Sequence, residues 1–206
     1  MLKLHGFAIS NYFNMVKMAL IEKGVDFEIV QVQPSQDDDY LAMSPMGKVP
    51  CLETDEGFIS EANVILEYLE ESCDAPSFMP SNPFERARVR ELMKEMELYI
   101  ELPARTCFPE AFFGGSVSDE VKETAKANLA KGIACLKRNG KFSPYVAGDS
   151  MTYADMIFLY SVSLAGACAK RVLGMDLLGD FPEARELSQL LGSRDSAKRI
   201  TADQKA

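Results

Sequence analysis

The first part of the chain alternates between strand patterns and helix patterns. Leu2 to His5 alternates apolar and polar residues as a short strand does, and turn residues separate it from apolar positions at helical spacing over Met15 to Leu20. Lys23-Gly24 has the composition of a helix C-terminus, and Val25 to Val32 is rich in β-branched and aromatic residues. This order predicts a βαβ unit with parallel strands.

A hairpin and a second helix are predicted to follow. Gln33 to Pro45 has the polar composition of a surface loop with at most a short helical turn. Lys48 to Thr54, Asp55 to Gly57 and Phe58-Ile59 have the pattern of a strand, a tight turn and a return strand. Ser60-Glu61 then begins a helix that is apolar on one face through about Ser72. The predicted order is therefore βαβ followed by ββα.

Strand patterns end at about residue 84. Helical patterns cover residues 86–102, 118–137, 153–173 and 183–191, with Gly or Pro between them. Prolines and serines between residues 73 and 83 indicate a domain boundary. We therefore predict an α/β domain over residues 1–75, a linker over 76–83 and an all-helical domain over 84–206. The polar residues 193–206 are expected to form a loosely held tail.

Composition and charge exclude several functions. The 206 residues are 47% hydrophobic and 26% charged, as in ordinary globular proteins, and a net charge of -9 argues against a nucleic-acid partner. We expect no membrane segment and a cytoplasmic location, because no apolar run of about 20 residues is evident. The five cysteines are widely spaced, which favours reduced thiols over disulfides or a zinc site. With His5 as the single histidine, neither a Ser-His-Asp triad nor a metal site is expected.

Four stretches of the sequence resemble the glutathione transferase superfamily. Ser44 to Leu52 is similar to its loop and third strand, Ile59 to Tyr68 to its glutathione-binding helix, and Met18 to Gly24 to the end of its first helix. Val146 to Asp155 is similar to its buried capping box, in which the aspartate reaches back to the cap amide and has a structural rather than a catalytic role. The resemblance implies a thioredoxin-like α/β domain followed by an all-α helical bundle.

The resemblance also implies a glutathione site in the first domain. Val49-Pro50 resembles a cis-proline bend that presents the backbone N–H and C=O of Val49 to an extended peptide ligand. Glu61 resembles the acid that meets the ligand's amine beside helix amides that suit its carboxylate; the alternative is an acid that merely complements the helix dipole. Ala62 replaces a hydroxyl residue of many relatives, which implies somewhat weaker binding. Lys48 resembles the lysine that pairs with the glycyl carboxylate, the alternative being a solvated loop lysine.

Three adjacent residues are candidates for stabilising the glutathione thiolate. Ser10 resembles the serine or cysteine that relatives place next to the sulfur, where a hydroxyl and the positive end of a helix lower the thiol pKa. A plain N-cap serine explains the same residue equally well, and Asn11 and Tyr12 are its rivals. Because no cysteine stands at position 10, disulfide exchange is disfavoured, and Cys51 is expected to pack in a buried strand.

An apolar set in the second half is the candidate electrophile pocket. Most helical aromatics belong to a core, so only one or two of these residues are expected to contact substrate. The set is Met96, Tyr99, Phe108, Phe112 and Phe113, with Arg105 as a polar contact.

The resemblance implies an enzyme with glutathione as co-substrate. Such an enzyme is expected to conjugate the glutathione thiolate to a small apolar electrophile, as in detoxification, and to form a homodimer. One alternative is a non-catalytic protein of the same fold that binds a partner or regulates it. The other is a glutathione-dependent isomerase or peroxidase.

Overall fold

The computed structural model describes residues 1–205, and its internal contacts divide the chain into two units. The first unit comprises Met1–Phe78 and the segment that starts at Ser193, and the second comprises Met79–Gly192. The division differs from the expected domain limits chiefly at the end of the chain, because the described residues beyond 192 pack with the first unit.

A four-stranded mixed sheet forms the centre of the first unit. β1 (Leu2–Gly6) pairs in parallel with β2 (Phe27–Gln31) and antiparallel with β3 (Cys51–Thr54). β3 pairs antiparallel with β4 (Gly57–Ser60), which gives the strand order β2-β1-β3-β4. The predicted βαβ unit and hairpin are therefore confirmed, with β2 shorter than its sequence pattern.

Three helices connect or follow these strands. α1 (Asn11–Lys23) links β1 to β2 and ends at Gly24, whose φ of 67° is the left-handed conformation that favours glycine. α2 (Asp38–Leu41) is the short helical turn expected in the polar loop. α3 (Ala62–Ser72) follows β4 and buries Ile65, Leu66 and Leu69 on its apolar face.

The second unit is helical over the predicted regions. Two of its long helices contain π-helical turns, which the sequence pattern did not indicate. In chain order the elements are α4 (Pro83–Met96), a π-helical turn (Glu97–Glu101), α5 (Leu102–Arg105), α6 (Phe108–Phe112), α7 (Asp119–Asn139), α8 (Tyr153–Ile157), a π-helical turn (Phe158–Val162), α9 (Ser163–Cys168), a π-helical turn (Ala169–Leu173) and α10 (Pro182–Gly192).

The capping box predicted before α8 is confirmed. The Asp155 carboxylate accepts hydrogen bonds from the backbone N–H groups of Thr152 at 2.7 Å and Val146 at 2.8 Å, and from the Thr152 hydroxyl at 3.1 Å. Asp155 has no exposed surface, and this burial raises the pKa of its carboxyl to about 6. The residue therefore holds the start of α8 at the cost of a buried charge.

The helix Tyr153–Leu173 corrects the expectation that no segment could match a membrane span. Its 21 residues are long and apolar enough for a span by length and composition alone. Half of its most apolar stretch is buried within the structure, as in the core helix of a globular protein. Its composition therefore has an explanation in internal packing.

The expectation of a loosely held C-terminal tail is wrong. α11 (Asp195–Asp203) buries Ser196, Ala197 and Ile200. Its amphipathic pattern has few apolar positions, so the polar composition concealed a helix that packs with the first unit.

Two ionic contacts join this C-terminal segment to α1. Arg194 donates from Nε and Nη2 to the two carboxylate oxygens of Glu22 at 2.7 and 2.6 Å, and the Ser196 hydroxyl donates to the same carboxylate. The Arg194 hydrogen bond holds the pKa of Glu22 below its ordinary value. Lys17, whose side chain is 2% exposed, donates to Asp203 at 2.5 Å. These contacts fasten both ends of the C-terminal helix to α1.

Candidate functional site

One edge of the sheet brings the segments of the predicted site together. β1 runs antiparallel to β3, and β3 runs antiparallel to β4, so the ends of β1 and β4 lie beside the start of β3. The register pairs Cys51 with both His5 and Ser60. The loop that carries Ser10, the bend at Pro50 and the residue Glu61 therefore all leave the sheet at this edge.

Ser10 is the N-cap of α1, and its hydroxyl hydrogen remains available. Its Oγ accepts a hydrogen bond from the backbone N–H of Phe13 at 3.3 Å, which is the N-cap geometry. The serine is half-buried, and its hydroxyl has no acceptor among residues 1–205. Capping and donation to a ligand are therefore compatible, because a hydroxyl accepts and donates at the same time.

Asn11 and Tyr12, the two alternatives to Ser10, are less available to a ligand. Asn11 is buried and Tyr12 half-buried, and each already has an interaction partner. Asn14, which sequence reasoning missed, is fully buried and donates from Nδ2 to the carbonyl oxygen of Ala8 at 2.8 Å. That hydrogen bond fixes the loop two residues before Ser10.

The Val49-Pro50 peptide bond is cis, as the sequence resemblance implied. Val49 is half-buried, and its backbone N–H and C=O have no hydrogen-bond partner within the described chain. The exposed Lys48 ammonium likewise has no carboxylate partner among the described residues. The backbone N–H and C=O of Val49 and the ammonium group of Lys48 are thus available to a ligand.

The peptide groups of Lys48, in contrast, are fully bonded. Its carbonyl oxygen accepts from the Tyr40 hydroxyl at 3.0 Å and from the Ser44 hydroxyl at 2.8 Å. Its N–H donates to Ser44 Oγ at 3.2 Å. Sequence reasoning missed both hydroxyl residues, although Ser44 opens the stretch that carries the family resemblance.

Glu61 has the most unusual backbone conformation of the site. Its φ of 70° and ψ of 114° lie outside the regions that a residue with a Cβ normally adopts. Its carboxylate is exposed and pairs with no cation within residues 1–205, and its side chain does not cap α3. Ala62, the first residue of α3, is buried. The unpaired carboxylate of Glu61 therefore belongs to the residue that directly precedes the first-turn amides of α3.

The thiols offer no rival nucleophile at this edge. Cys51 is buried and donates to the carbonyl oxygen of Met43 at 3.3 Å, and burial raises its thiol pKa to about 11. A thiol with so high a pKa is not a thiolate at neutral pH, so the predicted packing role agrees with its surroundings. Within the described chain, no three His, Cys, Asp or Glu residues are grouped as metal ligands.

The aromatic set of the second unit divides by exposure. Met96 is fully buried and Phe108 nearly so, and neither presents a surface to a ligand in this structure. Tyr99, Phe112 and Phe113 are 52%, 38% and 78% exposed. Only these three of the predicted apolar contacts are accessible.

Arg105 is engaged within its own helix. Its guanidinium donates from Nε and Nη2 to the fully buried Glu101 at 2.8 and 2.7 Å and lies 5.1 Å from the ring centre of Phe108. Glu101 also accepts from the Ser161 hydroxyl. The arginine neutralises a buried carboxylate, so a contact with substrate would compete with a structural ion pair.

A cavity of about 300 Å³ in the second unit lies elsewhere on the chain. It shares no residue with the predicted site. Its lining combines two lysines with two acids and an aromatic pair, and consists of Lys137, Gly140, Lys141, Phe142, Asp180, Phe181 and Glu183. The cavity therefore supports none of the predicted roles.

Comparisons with known proteins agree on one family. The family model for the glutathione S-transferase N-terminal domain matches residues 4–77. The chain is 56% identical over 206 residues to a glutathione S-transferase of Pseudomonas putida, covering 100% of this chain and 94% of that protein. A crystal structure of a glutathione S-transferase from Rhodospirillum rubrum F11 is 28% identical, with a TM-score of 0.77, over 97% of this chain and 91% of the other.

One similar protein has a different name. The chain is 26% identical over 185 residues to the probable elongation factor 1-gamma 2 of Arabidopsis thaliana, covering 90% of this chain and 44% of that protein. The expected arrangement of a thioredoxin-like domain followed by a helical domain is confirmed by the strand order and by the solved structure.

Proposed function

The chain belongs to the glutathione S-transferase family, and from that premise we propose that it binds glutathione through its first unit, activates the thiol with Ser10 and conjugates it to a small apolar electrophile. One observation carries the proposal. The free Ser10 hydroxyl hydrogen, the free Val49 backbone pair and the unpaired charges of Lys48 and Glu61 all belong to segments that leave one edge of the sheet.

These groups complement the chemistry of glutathione one by one. The ligand has an amine for Glu61, a glycyl carboxylate for Lys48 and a glutamyl carboxylate for the first-turn amides of α3. Its cysteine is the one residue with both an amide N–H and an amide C=O, which are the partners that the Val49 pair requires. Ala62 adds no hydroxyl, so the backbone amides alone would hold the glutamyl end.

Ser10 supplies the activation. A free thiol has a pKa of about 8.5, so most of it is protonated at neutral pH. A hydrogen bond donated by the Ser10 hydroxyl stabilises the thiolate, and the N-terminus of α1 adds a positive potential. The thiolate then attacks the electrophilic carbon, a C–S bond forms, and either a leaving group departs with its electron pair or an added proton completes the addition.

The electrophile is expected to be apolar. The accessible aromatic residues Tyr99, Phe112 and Phe113 favour such a substrate, and Arg105 is already paired. We further propose a cytoplasmic homodimer with a role in detoxification, as the resemblance implied. The isomerase and peroxidase alternatives use the same glutathione site and stay predictions.

A non-catalytic binding protein is the second candidate. It is favoured by Ala62, which removes a hydroxyl from the ligand end of α3, and by the similarity to a protein named as a probable elongation factor. Under that alternative the unpaired groups at the sheet edge would bind no glutathione.

Ser10→Ala and Ser118→Ala form a matched pair for the test. Ser118 caps α7 in the second unit and accepts from the N–H of Val121 at 3.3 Å, the same geometry that Ser10 has. Each variant should lose about 1 kcal/mol of stability. Only Ser10→Ala should raise the thiol pKa of bound glutathione, by about one unit or more, because a hydrogen bond to a charged group is removed. Calorimetry gives the affinity, and the ultraviolet absorbance of the thiolate gives the pKa.

Two results would decide against the proposal. If the wild type binds no glutathione in calorimetry, the non-catalytic alternative becomes the leading one. If it binds but the thiol pKa is equal in Ser10→Ala and Ser118→Ala, Ser10 is an N-cap only, and Asn11 and Tyr12 become the candidates for thiolate stabilisation.

A further inference from the structure

The Lys48 carbonyl is held by two hydroxyl groups of the preceding loop. Tyr40 and Ser44 donate to it at 3.0 and 2.8 Å, so both lone pairs of the oxygen are occupied. Tyr40 is 7% and Ser44 1% exposed, so water competes little for these bonds. The direction of this one carbonyl is therefore fixed more strongly than a single hydrogen bond would fix it.

Fixing this carbonyl also fixes the N–H of Val49. The two groups belong to the same peptide unit, which is planar and, between Lys48 and Val49, trans. In a trans peptide the N–H points away from the C=O of the same plane. With the oxygen turned toward the buried hydroxyls, the Val49 N–H must point away from them, and it has no partner within residues 1–205.

Local structure places the two hydroxyls at the carbonyl. Tyr40 lies in α2, and the backbone N–H of Ser44 donates to the carbonyl oxygen of Tyr40 at 2.9 Å, which sets the two side chains one helical turn apart. The loop then turns back through Gly47, whose φ is 64° and whose position leaves no room for a Cβ, because the carbonyl oxygen of Ser35 would lie 2.1 Å away. Burial raises the pKa of Tyr40, which keeps its hydroxyl protonated as a donor.

We propose that Tyr40 and Ser44 are positioning residues for glutathione, which orient the Val49 N–H toward the ligand by holding the carbonyl of the same peptide unit. The inference rests on the proposed function. It adds a role to two buried residues that would act through a peptide unit and not through a contact with the ligand. It also gives the short helix α2 the role of positioning the Tyr40 hydroxyl at the Lys48 carbonyl.

Tyr40→Phe is the sharpest perturbation, because it removes one hydroxyl and keeps the ring. We expect glutathione to bind about two- to tenfold more weakly, since a hydrogen bond of ordinary strength no longer restrains the peptide. The kcat at saturating glutathione should stay within about twofold, because Ser10 is untouched. Ser44→Ala should act in the same direction. Tyr153→Phe, a fully buried tyrosine of the second unit, is the control for the loss of a buried hydroxyl and should leave glutathione affinity unchanged.

A ligand analogue separates positioning from general loosening. In glutathione whose cysteine–glycine amide is replaced by an alkene of the same shape, the Val49 N–H has no carbonyl to meet. Wild type should bind this analogue more weakly than glutathione, and Tyr40→Phe should bind it no worse than wild type does. If Tyr40→Phe loses the same factor in affinity for glutathione and for the alkene analogue, the Tyr40 hydroxyl has a general structural role and the inference is overturned. Unchanged glutathione affinity in Tyr40→Phe would also overturn it while leaving the proposed function intact, whereas absence of binding to wild type would overturn both.

Discussion

The backbone of Glu61 predicts a conflict between stability and ligand binding. A residue with a Cβ at a φ of 70° and a ψ of 114° carries a conformational cost of about 1–3 kcal/mol. Glycine avoids this cost but loses about 0.5–1 kcal/mol more backbone entropy on folding. The exposed Glu61 side chain makes no ion pair within the described chain, so removing it should change the free energy of unfolding little. Glu61→Gly should therefore be about 1 kcal/mol more stable than Glu61→Ala.

The assay is thermal unfolding of both variants beside wild type, together with calorimetric titration of glutathione. For a chain of this size 1 kcal/mol corresponds to about 2–4 °C in Tm. Both variants should bind glutathione at least about tenfold more weakly, because a charge-assisted hydrogen bond to the amine is lost. The control is the pair Lys131→Gly and Lys131→Ala, at an exposed position within α7. There the order of stability should reverse, and the glycine variant should be about 1 kcal/mol less stable than the alanine variant.

Two outcomes would refute this reasoning. If Glu61→Gly is no more stable than Glu61→Ala while the Lys131 pair behaves as stated, the Glu61 backbone is not strained. If either Glu61 variant binds glutathione as wild type does, the acid only complements the dipole of α3, which was the alternative that the sequence left open.

Two further predictions concern parts of the fold outside the site. Because burial raises the folded-state pKa of Asp155 from 3.8 to about 6, the folded protein binds this proton more tightly than the unfolded chain, and stability is lost as pH rises through that window. The stability of wild type relative to Asp155→Asn should increase by roughly 2–3 kcal/mol from pH 7 to pH 4, and a pH-independent difference would contradict the assignment. Arg194→Met should loosen the C-terminal helix, because it leaves Glu22 without its bidentate partner. Hydrogen exchange should then accelerate in α11 more than in α10. Equal protection of α11 in wild type and in Arg194→Met would show that the ion pair does not hold the helix.

Local signals in the sequence were sufficient where a single residue type decides the geometry. Gly24 ends α1 in the left-handed conformation, Ser10 caps its start, and the hairpin forms around Gly57 as its turn composition predicted. The candidate glutathione residues could be named because the resemblance supplied their roles. That their segments share one sheet edge, and that the Val49 backbone groups and the Lys48 and Glu61 charges are unpaired within residues 1–205, became visible only in the structure.

Features that depend on particular side-chain contacts were not predictable in this way. Tyr40 and Ser44 matter because a carbonyl elsewhere in the loop meets their hydroxyls, and a hydrogen-bond partner leaves no periodic pattern. Met96 and Tyr99 both lie in the helical pattern of residues 86–102, yet Met96 is fully buried and Tyr99 is 52% exposed. The C-terminal helix escaped notice because three buried positions suffice when ion pairs hold its ends.

The contacts between α11 and α1 can form only late in translation. Lys17 and Asp203 are 186 residues apart in sequence, and the ribosome delivers the chain from its N-terminus. All of Met79–Gly192 has been made before the helix that neutralises Lys17 is translated. The helical unit is continuous in sequence and is fully synthesised before α11, whereas the first unit also includes α11 and cannot be complete until that helix has been made.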